Sequence, residues 1–300
     1  MRITRFFVPV SVALALMACG NSKTPTPKST SVVKPVGVVT TTPVLENLVR
    51  RIGHDVAGLK VSLAFQTHGK CLHEHQISTE EMRNLCSASL VVANGVNFEP
   101  FLDQAMRQCP QIPVVRVGDN CADMPATDGG TDPHAWFGSK NIDCMASNLT
   151  KALAQYDTLH ATAYNANGEA VQKQLSDFWN TVHNGNASLR GLPVVSFHGA
   201  YNYLARELGM NMVATFGEEQ EDVTPSAKQI AELISKIKAQ KVSLLMLGEN
   251  ETPDLAAAVA RETGVRVIRL RNMMEGLDTN DSQAYEHAIQ DDISRLTGQP

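Results

Sequence analysis

The sequence predicts an α/β fold: two Rossmann-like lobes with parallel sheets, joined by a long linking helix. Three observations carry this. Short apolar runs alternate with helix-period segments from residue 37 to 138. The alternation stops between 139 and 190, where only helical patterns occur. It then resumes from 191 to 300. Strands separated by helices need crossover connections, hence parallel sheets with helices on their faces.

In the first lobe, "VGVV" is a strand, and "PVLENLVRRIG" after it puts Val44, Leu45, Leu48 and Val49 on one helical face. "LKVSLAF" is the second strand. In "STEEMRNLCSA", Ser78 with Glu81 three residues on is a capping box that starts a helix. "LVVANG" is a strand closed by Gly95, "EPFLDQAMRQC" a helix and "IPVVRVG" the fourth strand. In the middle, "NIDCMASNLTKALAQYD" and the longer "TLHATAYNANGEAVQKQLSDFWNTVHN" read as helices, with Gly168 weakening the second. The second lobe repeats the alternation: strand "LPVVSF", helix "AYNYLARELG" stopped by Gly209, strand "NMVATF". A helix over "TPSAKQIAELISKIKAQK" follows, with Thr224 as N-cap and Pro225 at its first position. Strand "VSLLML", helix "TPDLAAAVARETG", strand "VRVIRL" and helix "DSQAYEHAIQDDISRLTG" complete the chain.

Residues 1–19 stand outside this body. Arg2 and Arg5 precede an apolar run from Phe6 to Met17, the pattern of an export signal and too short for a stable membrane span. The run ends in Leu16-Met17-Ala18-Cys19, which resembles a bacterial lipobox; Cys19 would then be lipidated and become the first mature residue. An ordinary cleaved signal is the other reading. Residues 20–36, rich in Ser, Thr, Pro and Lys, read as a flexible tether. The net charge of −5 and the lack of a basic cluster argue against a nucleic-acid partner.

Apart from Cys19 there are five cysteines: Cys71, Cys86, Cys109, Cys121 and Cys144. Export permits disulfides, and the odd number leaves at least one thiol free or paired elsewhere. Cys109 and Cys121 could close the loop between them, and Cys86 reads as a small core residue. No CxxC spacing points to a cysteine-rich metal site.

Ligand-binding residues of open α/β sheets gather beyond the carboxyl ends of strands. His198 follows "LPVVSF", His134 lies in the loop "TDPHAW", and His73 lies in "CLHEHQIS" after the second strand. Three such histidines facing one cleft would form a zinc site, imidazole being its commonest protein ligand. A lone loop histidine is usually exposed or hydrogen-bonded, and His54, His68, His75, His160, His183 and His287 are read that way.

Taken together, "HEHQISTEEMRNLCSASLVVANGVNFEPFLDQA", "DPHAW", "VVSFHGAYNYLARELGM" and "TPSAKQIAELISKIKAQKVSLLMLGEN" resemble the solute-binding lipoproteins of bacterial zinc and manganese ABC importers, over about residues 36–298. The resemblance implies metal ligands at His73, His134 and His198. It also implies an ABC permease with its ATPase as partners, a lipid anchor on an exported, periplasmic or surface face, and a monomer. The family's fourth ligand, an aspartate, falls near Arg271, whose guanidinium would repel a cation. Glu249, at the end of "VSLLML", is the preferred substitute or supporting carboxylate, ahead of Glu275 and Asp278.

In that family a histidine at the third position accompanies zinc, and a glutamate manganese. Three imidazoles also suit zinc better than the oxygen-seeking Mn²⁺. The expected role is therefore capture and handover of zinc, with manganese less favoured, and no catalysis. Two alternatives remain open. One is a member that has lost its metal and acts as an adhesin or scaffold, which Arg271 suggests. The other is a three-histidine zinc hydrolase or hydratase, with Glu249 as its general base.

Overall fold

A computed structural model describes residues 35–67, 70–126, 130–216, 226–251, 253–278 and 281–298. The signal stretch, Cys19, nearly all of the tether, His68, Thr224 and Pro225 lie outside these residues. Residues 34–300 form one compact unit.

The first half contains β1 (Val36–Thr40), α1 (Pro43–Ile52), β2 (Leu59–Leu63), α2 (Thr79–Ser87), β3 (Leu90–Ala93), α3 (Leu102–Met106) and β4 (Val114–Arg116). Its strands form a parallel sheet in the order β2-β1-β3-β4. α1 starts where Thr42 Oγ1 accepts from Leu45 N at 3.3 Å and Pro43 presets the first turn. It buries Val44, Leu45, Leu48, Val49 and Ile52, each contributing about 1.5–3 kcal/mol of hydrophobic stabilisation. The Ser78–Glu81 capping box is formed in full.

Two helices follow: α4 (Ser139–Tyr156) and α5 (Ala161–Gly185). At 25 residues, α5 is about 38 Å long. It continues through Gly168 because a Cβ there would stand 2.3–2.9 Å from Thr150 of α4. The glycine lets two helices touch at that point; it does not break one.

The second half contains β5 (Pro193–Ser196), α6 (Asn202–Glu207), β6 (Asn211–Thr215), α7 (Ala227–Gln240), β7 (Leu244–Gly248), α8 (Asp254–Thr263), β8 (Arg266–Leu270) and α9 (Ala284–Thr297). Its sheet, β6-β5-β7-β8, is again parallel and repeats the order of the first. The N-cap of α7 is Ser226, in a capping box with Gln229. This moves the helix start two residues past the expected Thr224. A hydroxyl with a glutamine three residues on satisfies two backbone donors at once.

The halves are tied across α5. Arg51 of α1 donates to both Glu286 oxygens of α9, at 2.9 and 3.2 Å, and to Gln174 of α5 at 2.9 Å. One disulfide, Cys86–Cys109, braces the first half, and a second, Cys121–Cys144, ties the loop after β4 to α4. Cys86 is thus bonded, not a plain core residue, and Cys109 pairs with it and not with Cys121. The Cα atoms of the two pairs lie 5.5 and 5.7 Å apart, within bridging reach. Cys71 remains a thiol and is buried.

Candidate metal centre

Three segments far apart in sequence supply the site. The turn after β2 carries Cys71 just before a 3-10 helix at Leu72–Glu74. The loop after β4 carries Asp132 and His134, the latter just before a 3-10 turn at Ala135–Phe137. The end of β5 delivers His198. β5 lies between β6 and β7, where the chain's winding direction reverses, and clefts open beyond strand ends at such points.

His198 Nε2 stands 3.4 Å from Cys71 Sγ, and His134 Nε2 stands 3.8 Å from it. All three side chains are buried. Their donor atoms lie within 4.8 Å of one another, the one group of three possible metal donors of this kind among the described residues.

Each imidazole is held from behind by a carboxylate. His134 Nδ1 is 2.8 Å from Asp132 Oδ1, which also accepts from the His134 backbone N–H at 3.0 Å. His198 Nδ1 is 2.8 Å from Glu251 Oε1. With Nδ1–H donating outward, the Nε2 lone pair of each neutral ring faces the centre, the usual support for a metal-binding histidine. Gly248 makes room for Glu251: a Cβ there would meet its Oε1 at 2.6 Å. Phe98 and Trp136 pack edge-on against His134, with ring centres 5.6 and 5.3 Å away, and form an apolar wall.

The charges interlock. Burial works against ionisation of His134, but the Asp132 hydrogen bond and Cys71 outweigh it and raise the ring to about 9. Burial likewise opposes a charge on His198, yet Cys71 and Glu251 push it well above its usual value. Burial raises the Cys71 thiol, and the two rings, His198 foremost, bring it below its ordinary value. The thiol and the two rings thus each favour the charged form of the other. A cation entering here takes the place of protons.

The residues singled out from sequence fall in different places. His134 and His198 meet at the centre. His73, two residues beyond Cys71, lies beside it: its ring centre is 5.6 Å from that of His134 and 5.0 Å from that of Phe98. Glu249 bonds Arg295 on the surface, and Glu251, two residues on, is the carboxylate that reaches His198. Arg271 turns away toward α9, its Nη2 meeting Asp291 at 2.9 Å and its backbone N–H bonding Asp292. His75 sits in the 70–75 turn, not on a strand, and bonds Glu81 at 3.1 Å. His160, His183 and His287 bond Asp157, Glu207 and Asp281.

Cys71 and Glu251 were the contributors that sequence reasoning missed. An unpaired cysteine two residues from a candidate ligand was the available signal for the first. For the second it was the carboxylate following a strand-ending glycine.

The model of the family described as zinc-uptake complex component A, periplasmic, matches residues 38–298. The iron-binding protein YfeA of Yersinia pestis is 25% identical over 244 residues, covering 76% of this chain and 74% of YfeA. The zinc-binding lipoprotein AdcA of Streptococcus pneumoniae is 25% identical over 295 residues, covering 92% of this chain but 56% of AdcA. The manganese-binding lipoprotein MntA of Halalkalibacterium halodurans is 22% identical and covers 97% of each chain. Among solved structures, FpvC of Pseudomonas aeruginosa in complex with Mn²⁺ superposes with a TM-score of 0.77 at 22% identity, over 88% of this chain and 98% of FpvC. A crystal structure of ZnuA does so with a TM-score of 0.74 at 19% identity, over 87% and 99%.

Proposed function

The chain belongs to the family of periplasmic zinc-uptake complex component A proteins, and from that premise we propose that it captures a divalent metal ion, zinc foremost, between its two halves and hands it to an ABC permease. The observation that carries the reading is the convergence of His134 Nε2 and His198 Nε2, one from each half, on a single buried point. Two carboxylate-braced imidazoles suit a borderline-soft cation such as Zn²⁺. The turn at 70–75 supplies further donors. Relatives named for zinc, manganese and iron support a metal cargo in general; the nitrogen donors favour zinc.

Capture exchanges protons for the ion. Each ring gives up the proton on Nε2 as the metal arrives, while Asp132 and Glu251 keep the Nδ1 protons in place. The apolar wall of Phe98 and Trp136 lowers the local dielectric and strengthens every contact to the cation. Family members are substrate-binding proteins, not enzymes, which removes the hydrolase alternative. The intact donor cluster speaks against an ion-free adhesin.

Export and a lipid anchor at Cys19 complete the reading. Two disulfides fit an oxidising compartment. Among the described residues no helix is long and apolar enough to cross a membrane. In this reading a lipid at residue 19 does the holding, and the ATPase of the permease drives transport.

Calorimetric titration of ion-free protein with zinc at neutral pH tests the proposal. One site tighter than about 1 μM, lost on replacing His134 and His198 together by alanine, is expected. Binding no tighter than that would refute it.

A further inference from the structure

Cys71 is a buried thiol to which the two-histidine account gives no role. A cysteine that merely fills a core points its sulfur at apolar atoms. This one points at two imidazole nitrogens from different halves of the molecule, at 3.4 and 3.8 Å.

Those distances can be compared with a metal's requirements. Zinc binds thiolate sulfur at about 2.3 Å and imidazole nitrogen at about 2.0–2.1 Å, so neighbouring S and N donors of a tetrahedral site are about 3.5 Å apart. The observed separations bracket that figure. The sulfur thus already stands at coordination spacing from both nitrogens, and all three donors lie within 4.8 Å of one another. The His73 imidazole packs beside this cluster, against Phe98 and His134.

We propose that Cys71 Sγ is the third donor of the centre and that it makes the site selective for thiophilic divalent ions of the zinc and cadmium class over Mn²⁺. The proposal rests on the ion-capture reading above. The chemistry balances simply: the sulfur–metal bond forms, any proton on the thiol leaves to solvent, and nothing is oxidised or reduced. Sulfur is a soft donor, and Mn²⁺ prefers carboxylate, carbonyl and water oxygens. The two carboxylates beside the centre, Asp132 and Glu251, each direct one oxygen at an Nδ1, and neither is among the three clustered donors.

The test uses the full chain loaded with Co²⁺, a spectroscopic substitute for zinc. A near-ultraviolet sulfur-to-cobalt charge-transfer band is expected, and it should vanish in Cys71→Ser. In the same variant zinc affinity should fall about 100-fold while Mn²⁺ affinity changes little. Cys71→Ala is the second variant, in case a buried hydroxyl is not tolerated. Cobalt bound without the band, or zinc affinity unchanged in both variants, overturns the sulfur assignment and leaves the two-histidine site standing. Failure of the unaltered chain to bind zinc or cobalt at all overturns both.

Discussion

His198 Nε2 lies 3.4 Å from Cys71 Sγ, although 127 positions separate the two residues and they follow strands of different sheets. No local interaction brings them together. Their meeting is a product of the whole fold, and it turns two ordinary loop residues into a centre with its own chemistry.

The carboxylate behind His198 should matter as much as a direct ligand. Glu251→Ala is expected to weaken zinc binding about 10–100-fold, because the ring loses the acceptor that orients it. Gly248→Ala should produce a similar loss by pushing Glu251 aside. Glu249→Ala should leave affinity unchanged, since that side chain serves Arg295. Competition titration against a chelator measures all three.

Zinc affinity should keep rising with pH beyond the point where a free imidazole would level off. His134 holds its proton up to about pH 9 in the ion-free centre, and the proton must leave before the metal binds. An ordinary ring would level near 6.5. Asp132→Asn should shift the plateau downward. In the ion-free protein the same raised value acts oppositely on folding: its contribution is complete below about 6.5 and is lost as pH rises through about 9. Calorimetry at a series of pH values records the first effect, and denaturation without metal the second.

Asp292 provides a stability test away from the centre. Burial raises its carboxyl to about 8, against the opposing pull of the Arg271 backbone N–H and of Arg295. The folded state therefore keeps a proton that the unfolded chain loses near 4. Its contribution is full below about 4 and disappears as pH rises through about 8. Asp292→Asn keeps an acceptor for the Arg271 N–H and carries no charge. The variant should be more stable than the original protein above pH 8 in urea unfolding, and the difference should vanish toward pH 4.

Gly168→Ala should destabilise the fold by about 1–3 kcal/mol through overpacking against Thr150. This would occur even though alanine favours helix by about 1 kcal/mol over glycine. Adding Thr150→Ala should recover part of the loss. Denaturant midpoints of the two variants decide it.

The two-lobed architecture was legible because strand and helix periods differ and the pattern ran twice with a helical interval. The strand-end placement of His198 and the loop placement of His134 followed from the same alternation. What could not be read was orientation within a turn. Cys71 and His73 are two residues apart, and only the 3-10 geometry at 72–74 decides which side chain faces His198. Glu249 and Glu251 are also two apart. The Glu249 N–H bonds Leu270 O, extending the ladder outward, whereas the Glu251 N–H bonds Gly248 O and the chain folds back over the glycine. Disulfide partners were equally hidden: both bridges span 23 residues, and parity says only that one thiol is left over.

Two tyrosines stitch the halves together close to His134. Tyr203 OH accepts from the N–H groups of Asp123 and Met124 and donates to Asp132 O, while Tyr285 OH donates to Trp136 O. With this seam and the Arg51–Glu286 clasp both joining the halves, the molecule is poorly suited to gape like a clamshell. On the proposed reading, release of an ion would fall to the short turns bearing Cys71 and Glu251. Hydrogen exchange with and without zinc should then differ at 70–75 and 249–251 and stay level along the seam.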